Sequence, residues 1–145
     1  MPLAIHEAAH FLALNDIGHR PSSLSIFPIP GSDGRVSFTE VLFEIVIQEN
    51  PVDAIFCIVV GKMAQNRYTG LIERVNGKDA EYISYALSQQ KNENRHRIHS
   101  QAVQKADRWL DINFYRVQWL ANNLMRHEEM SFFDVERIVP KVLHR

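Results

Sequence analysis

The run Leu3-Ala4-Ile5-His6-Glu7-Ala8-Ala9-His10-Phe11-Leu12-Ala13-Leu14 sets two histidines and a glutamate inside an otherwise apolar stretch. Few backbones suit it. Pro2 fits a first helical turn, where its missing N–H costs nothing. On a helix, residues four apart share a face, so His6 and His10 can grip one metal ion. A carboxylate beside the first of them can reach a water in the open metal position. His6-Glu7-Ala8-Ala9-His10 is thus the pattern H-E-x-x-H, whose chemistry is that of a zinc hydrolase with Glu7 as general base. An apolar setting also argues against an idle surface helix, because unpaired ionisable groups are costly to bury.

The rest of the chain bounds the reading. Its 145 residues leave room for one domain with a sizeable core, and 46% hydrophobic content is ordinary for a globular protein. A net charge of −1 argues against nucleic-acid binding by bulk electrostatics. The lone Cys57, in the run Ala54 to Val60, reads as a small core residue and fits a reducing compartment. That run is far too short to span a bilayer, and no signal-peptide pattern precedes the motif, so a cytoplasmic protein is expected.

Periodicity predicts a mainly α chain. A first helix should end at Gly18. Short β-prone runs over 23–28 and 34–39, around Pro30-Gly31-Ser32-Asp33, suggest a hairpin beside it, with Pro28 and Pro30 putting the first strand at an edge. Further helices are expected over 40–48, from Pro51 to about Tyr68, over 78–90 and over 98–126. The polar run 89–97 reads as a solvated connection, with His96 and His99 solvated rather than metal-binding. Ser131 and Asp134 suggest a capped last helix, stapled to the core by Phe132 and Phe133. Trp109, Phe114, Tyr115 and Trp119 read as core or as a face for a homo-oligomer.

A catalytic zinc needs a third protein ligand. An extension to H-E-x-x-H-x-x-G-x-x-H fails, since Ala13 and Asp16 occupy the last two positions. The candidates are His19, Glu40, Glu44, Glu73, Asp79 and Glu81.

Along nearly its whole length the chain resembles the peptidase domain of the FtsH-type ATP-dependent zinc proteases, the M41 metallopeptidases. The resemblance rests on His6-Glu7-Ala8-Ala9-His10, on the strand pair at 21–28 and 34–39, and on Ile58-Val59-Val60-Gly61-Lys62-Met63-Ala64-Gln65-Asn66, similar to the family's L-x-G-R-A-A-E-E helix. It rests also on Val75-Asn76-Gly77-Lys78-Asp79-Ala80-Glu81, similar to the loop that carries the family's zinc-binding aspartate. The resemblance implies a zinc metallopeptidase domain in which His6, His10 and Asp79 hold Zn²⁺ and Glu7 is catalytic. Glu81 and Glu73 remain the next candidates for the third ligand. Substrates would be unfolded or flexible polypeptides, captured by pairing with the Leu24 to Phe27 strand. The family's ATPase module has no counterpart in this sequence, which implies an ATPase partner in trans. Gln65-Asn66 stands where the family has two glutamates, removing charges that would support the zinc ligands. A catalytically idle peptide- or partner-binding module, or a regulatory peptidase with one specific substrate, are the alternative readings.

Overall fold

The computed structural model describes the chain except residues 28–33, 38–39 and 144–145, and the side chains of residues 40–42. The described residues form six α-helices and one small antiparallel sheet: α1 (Pro2–Asp16), β1 (Ser23–Ser25), β2 (Arg35–Ser37), α2 (Glu40–Glu49), α3 (Pro51–Thr69), α4 (Gly77–Ser88), α5 (Asn92–His127), β3 (Glu129–Ser131) and α6 (Phe132–Ile138), followed by a 3₁₀ turn at Pro140–Leu143. The expected mainly helical chain with a strand pair beside the first helix is what forms.

A helix that is apolar nearly all round has to be buried, and α1 is. From Ala4 to Leu14 only His6 escapes full burial. Its main partners are α3 and α5, and α3 is equally apolar from Ala54 to Val60. Asn50 starts α3 by accepting a hydrogen bond from the Asp53 amide, and Gly70 ends it in a left-handed conformation, φ 74°. The core is continuous across α1, α3 and the buried stripe of α5, where Ala102, Ala106, Leu110, Val117 and Leu124 recur at helical spacing.

The sheet has the order β2-β1-β3. Leu24 pairs with Val36 on one side and Met130 on the other, and both Leu24 and Met130 are fully buried. This corrects the expected edge position: β1 is the central strand. Pro28 and Pro30 lie outside the described residues, and Ser23 to Ser25 carry no proline to block a second partner. The backbone of Leu24 is therefore not open to an incoming peptide. The sheet's free side next to α1 is the outer edge of β2, which has no strand partner among the described residues.

The helix α5 starts at Asn92, not near Ile98, so the expected solvated connection shrinks to a few residues. Polar composition hides this turn, but its straight-chain Glu93, Arg95 and Arg97 are good helix formers. Arg95 also donates to the carbonyls of Gln90 and Ser88, tying the start of α5 to the end of α4. His96, in this segment, is exposed. The last helix opens with the expected cap, Ser131 and Asp134 each accepting from the other's amide. Phe132 stacks on Phe11 at 5.9 Å, whereas Phe133 is 76% exposed and staples nothing. Trp109 is buried; Tyr115 and Trp119 are exposed. No helix among the described residues is long and apolar enough to cross a membrane.

One buried charge pair locks the end of α1. Arg116 on α5 is fully buried and donates twice to Asp16, at 2.7 and 3.0 Å, and to the Val142 carbonyl. The Trp109 indole also donates to Asp16. Removing one partner of such a pair leaves the other charge buried alone. Asp16→Ala is expected to lower unfolding free energy by about 3–5 kcal/mol in urea titration; a loss within ~0.5 kcal/mol would show that the pair does not hold α1 in place.

Candidate functional site

The motif side chains leave α1 on the face that meets α3, where the two helices approach closely. Gly61 on α3 is the reason they can. A Cβ built there would lie 2.5 Å from His10 Nε2, closer than any real side chain tolerates. The backbone of α3 thus serves as the floor on which the His10 ring rests. The His10 Nδ1–H donates to the carbonyl of Cys57, one turn earlier on α3, at 2.7 Å. Burial pushes the Cys57 thiol up to about 12, so it stays protonated and inert, as expected of a core cysteine.

His6, one turn back along α1, donates through Nδ1 to Gln65 Oε1 at 2.9 Å. The departure at Gln65-Asn66 therefore does not strip the histidines of support. A neutral amide oxygen does the orienting that a carboxylate would do, and Asn66 has a separate task. Its side chain donates to the Glu73 carbonyl and accepts from the Glu73 amide, clamping the connection between α3 and α4.

That connection ends at Gly77, whose φ of 58° suits glycine, and Asp79 follows in the first turn of α4. A carboxylate is stabilised there by the helix dipole, but this one does more. Its Oδ2 lies 2.9 Å from His6 Nε2 and 3.1 Å from His10 Nε2. Three sequence-predicted residues thus converge on one point. Glu7 joins them from the side: it is 5% exposed, and its Oε1 is 4.0 Å from His6 Nε2.

The other third-ligand candidates are elsewhere. Glu73 faces Lys62, Glu81 faces Lys78, and Glu44 accepts from the Tyr85 hydroxyl. His19 lies past the far end of α1, and the side chain of Glu40 is outside the described residues. Lys62 and Arg116, both buried, are polar residues that composition alone did not mark. Lys62 had a signal in its place, three residues before Gln65 on an otherwise apolar helix.

The donor set has a defined chemical demand. Both imidazoles spend Nδ1–H on neighbours, so in the neutral tautomer each Nε2 carries a lone pair. Those lone pairs meet the same carboxylate oxygen. Protons relieve the crowding, or one cation held by all three atoms does. Burial alone would lower the His10 pKa, but the Asp79 carboxylate outweighs it and pushes it up to about 9. The same contact holds Asp79 well below the usual carboxylate range, in spite of its burial. Burial pushes Glu7 above its ordinary value, against the pull of the two imidazoles. His6, Glu7 and His10 also present ligand atoms within 4.8 Å of one another, a spacing that suits a metal ion.

The four side chains open into a cleft of about 770 Å³. Gly34, at the start of β2, forms one wall: a Cβ there would sit 2.8 Å from the Ser25 carbonyl and 3.3 Å from Glu7 Cγ. Arg35 and Val36 of β2 and Lys62, Gln65 and Tyr82 continue the lining.

Comparison with protein-family models and with curated proteins found no match.

Gly61→Ala is expected to push the His10 ring aside while leaving helix content intact by circular dichroism. Zn²⁺ affinity, read by competition with a chromophoric chelator, should fall about 10- to 100-fold. Unchanged affinity would remove His10 from the ligand set.

Proposed function

We propose that the chain is a zinc-dependent metallopeptidase of the M41 type, hydrolysing peptide bonds in unfolded or flexible polypeptides. The observation that carries this is the approach of Asp79 Oδ2 to His6 Nε2 at 2.9 Å and to His10 Nε2 at 3.1 Å, with Glu7 beside them in an open cleft. Two nitrogens and one oxygen from the protein, with room left on the cleft side, are the donor set of a catalytic zinc site. Hard oxygen-only cations are less well served by imidazole. His6, His10 and Asp79 would hold the ion, each imidazole fixed in its tautomer by the bond at Nδ1.

When bound, Zn²⁺ supplies Lewis acidity, lowering the pKa of a water molecule and polarising a carbonyl. The protein's own part falls to Glu7. Its carboxylate takes a proton from the attacking water and delivers it to the leaving amine nitrogen. A carboxyl raised by burial is suited to both halves of that cycle, since an ordinary carboxylic acid is too strong to hold the proton between them.

Substrate would lie extended along the outer edge of β2, adding a strand to the sheet with its scissile bond near Glu7. Arg35 and Val36 place that edge in the cleft wall. Only a segment free of its own structure can add a strand in this way, which favours flexible or unfolded chains. Folded substrates would first have to be unfolded by a motor. A cytoplasmic setting suits a chain whose one cysteine is an unpaired, buried thiol. The exposed Ile112, Tyr115 and Trp119 of α5 would serve a homo-oligomer. The idle-module reading drew support from Gln65-Asn66, and the bond from His6 to Gln65 weakens it.

The purified protein is expected to bind about one zinc and to degrade an unfolded protein such as casein. Glu7→Gln should keep the zinc and lose at least ~10³-fold in turnover, within the span of general-base contributions. Asp79→Asn should lose both zinc and turnover. Elemental analysis beside a fluorogenic casein assay reads the two together. Full zinc retention by Asp79→Asn would exclude it as ligand, and full turnover by Glu7→Gln would refute its role.

A further inference from the structure

Lys62 is the charged side chain of the cleft that this chemistry leaves unused. It stands on α3 beside Gly61 and one turn before Asn66, with its side chain only 8% exposed. Its stem is packed away, but the ammonium is not: among the described residues no buried side-chain nitrogen lacks a partner, and Nζ has none within hydrogen-bond distance, so Nζ reaches the cleft. Its counter-ion is poor: Glu73 Oε2 lies 4.0 Å from the ammonium, within ion-pair range but too far for a hydrogen bond. Glu73 itself is 47% exposed. Asn66 holds the Glu73 backbone, and the Glu73 carboxylate lines the cleft without closing on the ammonium.

Other cations of the cleft are different in kind. Arg35 pairs with Glu129 and Lys78 with Glu81, and both cations are well exposed, where ion pairs discriminate little. Of the carboxylates lining this cleft, Glu7 and Asp79 face the imidazoles, and Glu73 is the one an incoming anion would have to displace.

We infer that Lys62 forms a subsite for a substrate carboxylate, which replaces Glu73 as the closer partner of an ammonium that a buried stem holds at the cleft wall. The inference deepens the peptidase reading and rests on it for the nature of the ligand, a peptide carrying an acidic side chain or ending in a free carboxylate. An ammonium has three donors, and a carboxylate within the cleft can accept from it directly where Glu73 cannot. A neutral isostere would leave the lysine with its distant partner while blocking water from it, and so would be selected against.

The experiment separates binding from turnover. The zinc-loaded Glu7→Gln protein is titrated with fluorescent peptides in which one Glu is moved through the sequence, each matched to its Gln isostere, with the C-terminus either free or amidated. The expected result is at least about 10-fold tighter binding of one acidic register, or of the free C-terminus, over its neutral match. Adding Lys62→Met should erase the preference and leave the neutral peptide's affinity within ~2-fold, since Met keeps the length of the stem. Adding Glu73→Gln, a surface change that spares the fold, should widen it.

A preference that survives Lys62→Met overturns the subsite. So does the absence of any preference, or of any binding, in the Glu7→Gln protein. If Lys62→Met fails to fold, Glu73→Gln decides, and an unchanged preference there overturns the proposal. Turnover by the wild-type enzyme reports on the peptidase reading separately. Acid-selective binding without cleavage sinks the peptidase and keeps the subsite, whereas cleavage indifferent to charge keeps the peptidase and sinks the subsite.

Discussion

Two imidazoles and a carboxylate on a core helix must find partners for every polar atom or the helix cannot stay buried. The close crossing of α1 over α3 supplies most of them. Gly61 lets the helices approach until the His10 ring lies against backbone, and at that distance the Cys57 carbonyl is in reach of Nδ1. Gln65, one turn further on, meets His6 in the same way. With both Nδ1 atoms satisfied on the α3 side, both Nε2 atoms are forced to point the other way, into the cleft. The orientation of the site is thus a consequence of satisfying a buried helix, and the third vertex, Asp79, is the only part that comes from a separate element.

That third vertex depends on a chain of weaker constraints. Gly70 ends α3, Asn66 holds the returning segment at Glu73, and Gly77 turns the backbone so that α4 begins beneath the imidazoles. Asn66 and Gln65 are adjacent, so one dipeptide both orients a histidine and fixes the loop leading to the aspartate. Exchanging two acidic residues for two amides keeps hydrogen-bonding capacity and removes charge. Gln65 keeps the His6 ring oriented without adding negative charge beside Glu7.

Much of this was legible in the residues, for reasons that differ from place to place. His6, Glu7 and His10 could be read because helical geometry is local: spacing of four means one face, and the apolar flanks mean burial. Asp79 was one carboxylate among several, and no local rule separates it from Glu73 or Glu81. What separates them is direction, set by Gly77 and the Asn66 clamp, and its outcome shows only in contacts about 70 residues apart, from Asp79 to His6 and His10. The strand at Ser23 to Ser25 was misjudged for a similar reason. Its neighbours on one side follow directly in sequence, but its partner β3 lies after α5, over 100 residues away. Nothing in the first strand announces a partner so distant, and Pro28 pointed to an edge that belongs instead to β2. Gly61 was visible only as one more glycine in an apolar helix; the close approach it permits appears once His10 is seated against it.

More follows from the sheet's order than the misplaced edge, since among the described residues β2 has no outer partner. With β3 on its far side, β1 is held at both flanks, and β2 becomes the border between sheet and cleft. Gly34 lets that border pack closely against Ser25 and Glu7, where a side chain would not fit. An extended chain pairing with β2 would pass Glu7 on one side and approach Lys62 and the Asp79 turn on the other, since all of these line one cleft. Backbone pairing on such an edge is indifferent to side-chain identity. Selectivity would then come from side chains elsewhere in the cleft, and Lys62 is a charged one among them. An edge that would take any extended chain and a lysine that would read its charge share one cleft because both α3 and β2 pack on α1.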